Sequence, residues 1–398
     1  MNRNGVINEL RFNDMLCKTY KENKTCFVQF VNSVPHRLNA STIQSLSLSL
    51  KLKHDSRHVN DLISAVLNRG VKDLCIKSSK IIDIDMHSLL KSPNLEKLVL
   101  YMDGLVIRVP TIFCLPSLTV LDLFRITLTC DPSNRLQNLN LNLPVLRTYE
   151  AHDCTWLKFM DVTFEVPLLE VLSIKHTRLL KFSELRTKIK FRATRLTQFT
   201  YDSYMLEDTF SLELDPSSAN ITSVNIHPRK FEGENVHTTA LLAYKLLKQF
   251  HSNMERVEFK RSAILYLVKD SLVTDSLKFE MLSYLELEHV RGEILLMFFK
   301  WTPFLKTLIL QVLINFEEEL LDSQLVPPCF ESNLQEVHFG RLNGDEHEMR
   351  FLKYVLENAL VLETAKVSQN FESIAADSVD DTSSQKKMKV VKSPKAQI

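Results

Sequence analysis

A hexapeptide of the form apolar-x-x-apolar-x-apolar returns along almost the whole chain, and no other feature restricts the fold so tightly. Clear copies begin at Leu95, Leu118, Leu169, Leu282 and Leu305; looser ones begin at Ile43, Val71, Leu146, Leu196, Ile221, Met254, Leu334 and Leu362. Successive starts lie roughly 23 to 33 residues apart, near the 20 to 29 of a leucine-rich repeat. Side chains alternate faces along a strand, so the fourth and sixth positions point inward and the third and fifth outward. The first position turns in at the corner. No repeat covers its own apolar face, so each strand must stack on the next as one rung of a parallel sheet. The spacing predicts an α/β leucine-rich-repeat solenoid, a horseshoe with a parallel inner sheet.

Proline punctuates the return to several rungs, at Pro93, Pro116, Pro144, Pro167 and Pro303. It ends a helix and favours extension just before itself. Where the apolar period lengthens to 3.6, the crossing reads as a helix. Val59, Leu62, Ile63, Val66 and Leu67 form such a stripe, closed by Arg69-Gly70, and Leu241, Tyr244, Leu247 and Phe250 form another. A further helix is expected over 292–301. The crossing Val106 to Cys114 is too short and proline-bound for one.

The organisation that follows is a lead-in over 1–34, leucine-rich repeats over 35–281, terminal repeats over 282–368 and a tail over 369–398. The lead-in holds one small amphipathic helix near Cys26–Asn32. In the terminal part, 346–360 reads as a helix with Met349, Leu352, Val355, Leu356 and Ala359 facing the core, followed by a closing strand, Leu362 to Val367. Ser, Asp and Lys dominate the tail, which is expected to be disordered.

Net charge is +1, so no global field draws the chain to nucleic acid or an anionic membrane, and neither is an expected partner. The seven cysteines are scattered without a Cys-x-x-Cys pair, which fits free thiols in the cytoplasm or nucleus. Seven glycines form no phosphate-cradling loop. His54 and His58 are four residues apart but lack a third ligand, and read as a solvated helix start. The acids of Asp345-Glu346-His347-Glu348 suit a first helical turn through the macrodipole alone. Cys154 stands at the ninth repeat position, where its thiol bonds loop backbone. No catalytic set, metal site or cofactor is expected, and the chain reads as a non-enzyme.

The outward positions of successive rungs carry the functional candidates: Val99 and Tyr101, Asp122 and Phe124, Glu150 and His152, Ser173 and Lys175. Tyr101, Asp122, Phe124, Glu150 and His152 are expected to form one partner-binding patch across four stacked rungs. Exposed aromatics beside charges suit a protein interface. In the tail, Lys386, Lys387, Lys389 and Lys392 form a basic cluster that reads as a nuclear localisation signal.

Three segments, Arg69-Gly70-Val71-Lys72-Asp73-Leu74, Asn94-Leu95-Glu96-Lys97-Leu98-Val99-Leu100 and Cys114-Leu115-Pro116-Ser117-Leu118, resemble the repeats of plant F-box/leucine-rich-repeat proteins. The segment Leu334 to Val367, with Lys353-Tyr354-Val355-Leu356-Glu357-Asn358-Ala359 at its heart, resembles the FBD domain that ends many of them. Phe27-Val28-Gln29-Phe30-Val31 resembles the stretch after the F-box. The resemblance implies a solenoid closed by a C-terminal FBD-like unit, and a role like the substrate-recognition part of an SCF-type E3 ubiquitin ligase receptor. It departs at the start: the family opens with an F-box carrying Leu-Pro and a Ser-Lys-Arg-Trp-like helix, whereas the first proline here is Pro35 and the first tryptophan Trp156. A Skp1-like adaptor is therefore an expected partner only if an F-box lies upstream. The alternative is a free-standing interaction module, or a decoy that binds targets without recruiting the ligase. Either way the expected partner is a protein target.

Overall fold

The computed structural model describes residues 6–16, 20–37, 42–85, 89–109, 115–130, 137–177, 187–204, 210–214, 221–229, 246–250, 253–259, 278–316, 326–342, 344–369 and 388–390. The chain divides into two compact units, the first formed by 1–197 with 206–219 and the second by 198–205 with 220–398.

In the first unit, β1 (Val6–Asn13), β2 (Thr42–Leu50), β3 (Asp73–Ser78), β4 (Lys97–Arg108), β5 (Val120–Thr129), β7 (Thr148–His152) and β10 (Val171–Lys175) follow one another side by side. All are parallel, and the register aligns the repeat: Leu46, Leu74, Leu98, Leu121, Tyr149 and Leu172 stand opposite one another at the fourth position. Each is buried, as are first-position Ile43, Val71, Leu95, Leu118, Leu146 and Leu169. The alternation holds because a one-residue slip would turn every one of these side chains to water.

β1 was not expected as a rung. It carries the same hexapeptide in Ile7-Asn8-Glu9-Leu10-Arg11-Phe12, and pairs with β2 so that Leu10 faces Leu46 and Phe12 faces Leu48. The repeats thus start inside the segment read as a lead-in. The amphipathic helix there is longer than expected, α1 (Tyr20–Arg37), and buries Phe27 and Val31. α2 (Ser56–Leu67) buries Val59, Leu62, Ile63 and Val66, and Gly70, at φ +74°, follows it in the left-handed conformation that glycine adopts without strain.

His54 corrects the sequence reading. It is buried rather than solvated, lying against the Phe27 ring with its Nε2 3.2 Å from Asp14 Oδ2. The same carboxylate oxygen accepts from the backbone N–H groups of Lys51 and Leu52, both at 2.8 Å. Asp14 is fully buried and clasps the turn after β1 to the end of β2.

Later crossings in this unit are strands. β6 (Gln137–Asn142), β9 (Phe159–Glu165), β11 (Lys188–Ala193) and β13 (Phe210–Leu214) form a second parallel sheet in the order β13-β11-β9-β6. Period-two patterning explains it: Leu139 and Leu141, Val162 and Phe164, Phe191 and Ala193 point inward and are buried. β8 (Thr155–Leu157) pairs with the far end of β5. Phe164 and Phe191 stack at 4.4 Å, and Tyr149 packs against both. Near them Leu98, Leu121, Tyr149, Trp156 and Phe164 line a wholly apolar cavity of ≈ 30 Å³.

In the second unit, β12 (Gln198–Tyr204), β14 (Ser223–Arg229), β15 (Arg256–Phe259), β16 (Tyr284–Arg291), β17 (Thr307–Ile314), β18 (Glu336–Leu342) and β19 (Thr364–Gln369) form another parallel series. Phe199, Val224, Val257, Leu285, Leu308, Val337 and Ala365 take the fourth position, all buried. The crossing α3 (Gly292–Trp301) has the expected limits. Gly292 opens it under Phe316, whose Cδ2 would lie 2.8 Å from an added Cβ. Of the second predicted helical stripe, residues 246–250 are helical with Leu247 and Phe250 buried; Leu241 and Tyr244 lie outside the described residues. α4 (Pro328–Ser332) precedes β18, and α5 (Glu346–Asn358) precedes β19. The predicted stripe of α5 is met in part: Val355 and, just past the helix, Ala359 are buried as expected, and Leu352 and Leu356 are half-buried, whereas Met349 is exposed and Glu348 and Phe351 are buried in addition. Phe351 explains this, since its ring packs against Phe299, Phe316 and Phe339 and so sets which face is inside. Of the tail expected to be disordered, β20 (Met388–Val390) pairs antiparallel with β19, and 370–387 and 391–398 lie outside the described residues. Among the described residues, no helix is long and apolar enough to cross a membrane.

Candidate functional site

In the first unit, the outward side chains of β3, β4, β5, β7 and β10 fall into rows across the sheet. Lys77, Tyr101, Phe124, His152 and Lys175 stand opposite one another at the seventh repeat position. Cys75, Val99, Asp122, Glu150 and Ser173 form the row beside them at the fifth. The five predicted partner-binding residues therefore meet in one patch, on three adjacent strands rather than four. Val99 and Ser173, also read as outward, are buried at 7% and 8% exposure and add little surface.

The rings of the seventh row touch in sequence. Tyr101 and Phe124 have centroids 5.2 Å apart, and Phe124 meets the His152 ring edge-on at 4.8 Å. Cations lie over two of them: Lys77 Nζ is 4.8 Å from the Tyr101 centroid, and the Arg125 guanidinium carbon is 4.9 Å from that of Phe124. Rings held by neighbours on both sides lose little freedom on binding, which suits an interface anchor.

Arg125 was missed from the sequence, and its backbone is the reason. It sits at φ 57°, and Asp153, the equivalent residue one rung on, at φ 53°. A left-handed conformation costs a residue with a side chain roughly 1–2 kcal/mol. There, Arg125 reaches Asp103 at 3.6 Å and Asp153 at 3.8 Å. Asp153 accepts from the N–H of Thr177 at 2.6 Å and from its hydroxyl at 2.8 Å. No local pattern in the sequence announces this turn, because glycine is absent from both positions.

Tyr101 donates its hydroxyl hydrogen to Asp122 Oδ2 at 2.8 Å. Burial, with the adjacent carboxylate second, pushes the Tyr101 phenol up to about 12. Burial also holds Asp122 above its ordinary 3.8, opposed by the Tyr101 hydrogen bond and the charges of Lys77 and Lys97. An acid with a raised folded value contributes stability that is present below 3.8 and lost as pH rises through the folded value. Asp122→Asn is accordingly expected to flatten the fall of stability just above pH 3.8, as measured by denaturant titration across that range.

Other predicted sites resolve differently. Cys154 is buried, its thiol directed at the carbonyls of Leu123 at 3.4 Å and His152 at 3.5 Å. Burial pushes that thiol up to about 12, in line with the structural role read for it. Ligand atoms of Asp345, His347 and Glu348 lie within 4.8 Å of one another. Two of the three are engaged elsewhere, since Glu348 accepts from the N–H groups of Gly344 and Asp345 while His347 Nε2 lies 3.1 Å from the Leu313 carbonyl. Lys386, Lys387 and Lys392 lie outside the described residues, and Lys389 lies in β20.

The FBD family model matches residues 322–367, the span that contributes α4, β18, α5 and most of β19. Residues 322–367 are an FBD domain. Over longer stretches the chain is similar to plant proteins that carry this domain. It is 25% identical to F-box/FBD/LRR-repeat protein At1g78750 of Arabidopsis thaliana over 366 residues, 86% of this chain and 76% of that one. Identity to F-box/FBD/LRR-repeat protein At3g14710 of the same plant is 25% over 371 residues, 89% and 78% of the two chains. A shorter stretch of 73 residues is 41% identical to F-box/FBD/LRR-repeat protein At5g22660, covering 18% of this chain and 16% of that one. No solved structure matches. Beside the FBD domain, the parallel rungs agree with the LRR part of the relatives' names.

Proposed function

We propose that this chain is a non-enzymatic, protein-binding leucine-rich-repeat protein, acting like the substrate-recognition part of an SCF-type ubiquitin ligase receptor. The observation that carries the reading is the row Tyr101–Phe124–His152, flanked by Lys77, Arg125, Asp122 and Glu150 on one sheet face. A repeat sheet of this kind binds by area, with pre-held aromatics as anchors and charges setting orientation. The relatives' shared name, with F-box and LRR together, supports the ligase context, and a Skp1-like adaptor joins the complex wherever an F-box accompanies this region.

The test is co-purification of a protein target with the wild-type chain and with the Tyr101→Ala/Phe124→Ala variant. Truncating an anchor typically costs at least 1–2 kcal/mol of binding, so the double variant should lose the target while melting near the wild-type temperature. Undiminished recovery of the target by the double variant would remove the patch from the interface.

A further inference from the structure

β1 has β2 as its strand neighbour, and among the described residues its outer edge pairs with no strand. Leu10 is half-buried there, although Leu46 and Leu74, at the same repeat position, are completely buried. Among the described residues, the apolar row of the sheet is therefore partly open at this end. In the second unit, the last rung differs: the edge of β19 is covered by antiparallel β20.

An unpaired edge without proline is a template for another strand, and the sequence says which strand fits. Glu9 and Arg11 flank Leu10 on the outward face, with side chains 42% and 70% exposed and 2.8 Å from each other. Set antiparallel about Leu10, the segment is complementary to itself. Glu9 then faces Arg11, Arg11 faces Glu9, and Leu10 faces Leu10. Opposite charges directly across an antiparallel pair stabilise it, and like charges oppose it. A two-fold contact uses the same patch on both copies and closes on itself, whereas a parallel, head-to-tail contact would leave an edge open.

We infer that the outer edge of β1 pairs antiparallel with β1 of a second copy of this chain, about a two-fold axis at Leu10. The pairing extends the sheet, covers Leu10 and gives each Glu9 carboxylate a second guanidinium. It uses none of the residues of the aromatic row.

The experiment is sedimentation velocity on the full chain from about 1 to about 100 µM, the range in which a modest interface of this type is populated. The wild type is expected to show a reversible monomer–dimer equilibrium. Glu9→Arg places like charges across both symmetric pairs and should raise the dimer dissociation constant about tenfold or more. Arg11→Glu should do the same, and the combined Glu9→Arg/Arg11→Glu swap should restore the dimer. Both side chains are exposed, so circular dichroism melting should be unchanged in all three variants. A wild type that stays monomeric throughout overturns the inference. So does a dimer indifferent to Glu9→Arg, or a double swap that fails to restore association.

Discussion

Replacing Leu121 with alanine is expected to lower the unfolding free energy by about 2–5 kcal/mol, read from chemical denaturation. Leu121 is 5% exposed and lies in register between Leu98 and Tyr149 at the fourth repeat position. Its neighbours along the stack are fixed by backbone hydrogen bonds on both sides, so they cannot close over the space left behind. The lost contacts would enlarge the apolar cavity that Leu121 already lines. Ile81→Ala is the control, since Ile81 is 70% exposed and should change stability by no more than about 0.5 kcal/mol. Equal effects at the two sites would mean that the stacked leucines do not form the core.

Asp14→Ala should cost about 3 kcal/mol or more, because it strands three groups at once. The N–H groups of Lys51 and Leu52 and the buried His54 ring would lose a shared acceptor. Removing one partner from a buried polar network exposes the full desolvation cost of those that remain. Hydrogen exchange should localise the damage: the Lys51 and Leu52 amides are expected to lose protection, while core strands β16 and β17 keep theirs. Unaltered protection at Lys51 and Leu52 would show that the clasp is dispensable.

The buried rungs were legible because a period-two alternation tied to a fixed repeat leaves one consistent register. Leu98, Leu100, Leu121, Leu123, Leu172, Ile174, Leu285 and Leu287 are all buried as predicted. The helix over 292–301 was legible for a similar reason, with an apolar run bounded by Gly292 and Pro303. Three features were not read. The β1 repeat was present in Ile7, Leu10 and Phe12 but stood apart from the others, 36 residues before Ile43 by their sequence numbers. The second sheet was written in alternations such as Asn138-Leu139-Asn140-Leu141-Asn142, which is easily passed over when crossings are expected to be helical. The Asp14–His54 clasp joins residues 40 apart and leaves no local signature. At the candidate site the sequence supplied the outward rows correctly for Tyr101, Asp122, Phe124, Glu150 and His152. It could not supply Arg125, whose position depends on a left-handed turn that its residue type does not favour.

Whether the face bearing Tyr101 and Phe124 contacts a protein target can be read by site-specific photo-crosslinking. A photoreactive side chain would be placed at Phe124, or at Met160, which is 52% exposed on the second sheet. One dominant crosslinked protein is expected from position 124, lost when Tyr101→Ala is added, and none from position 160. The same product from both positions, or from 160 alone, would contradict it.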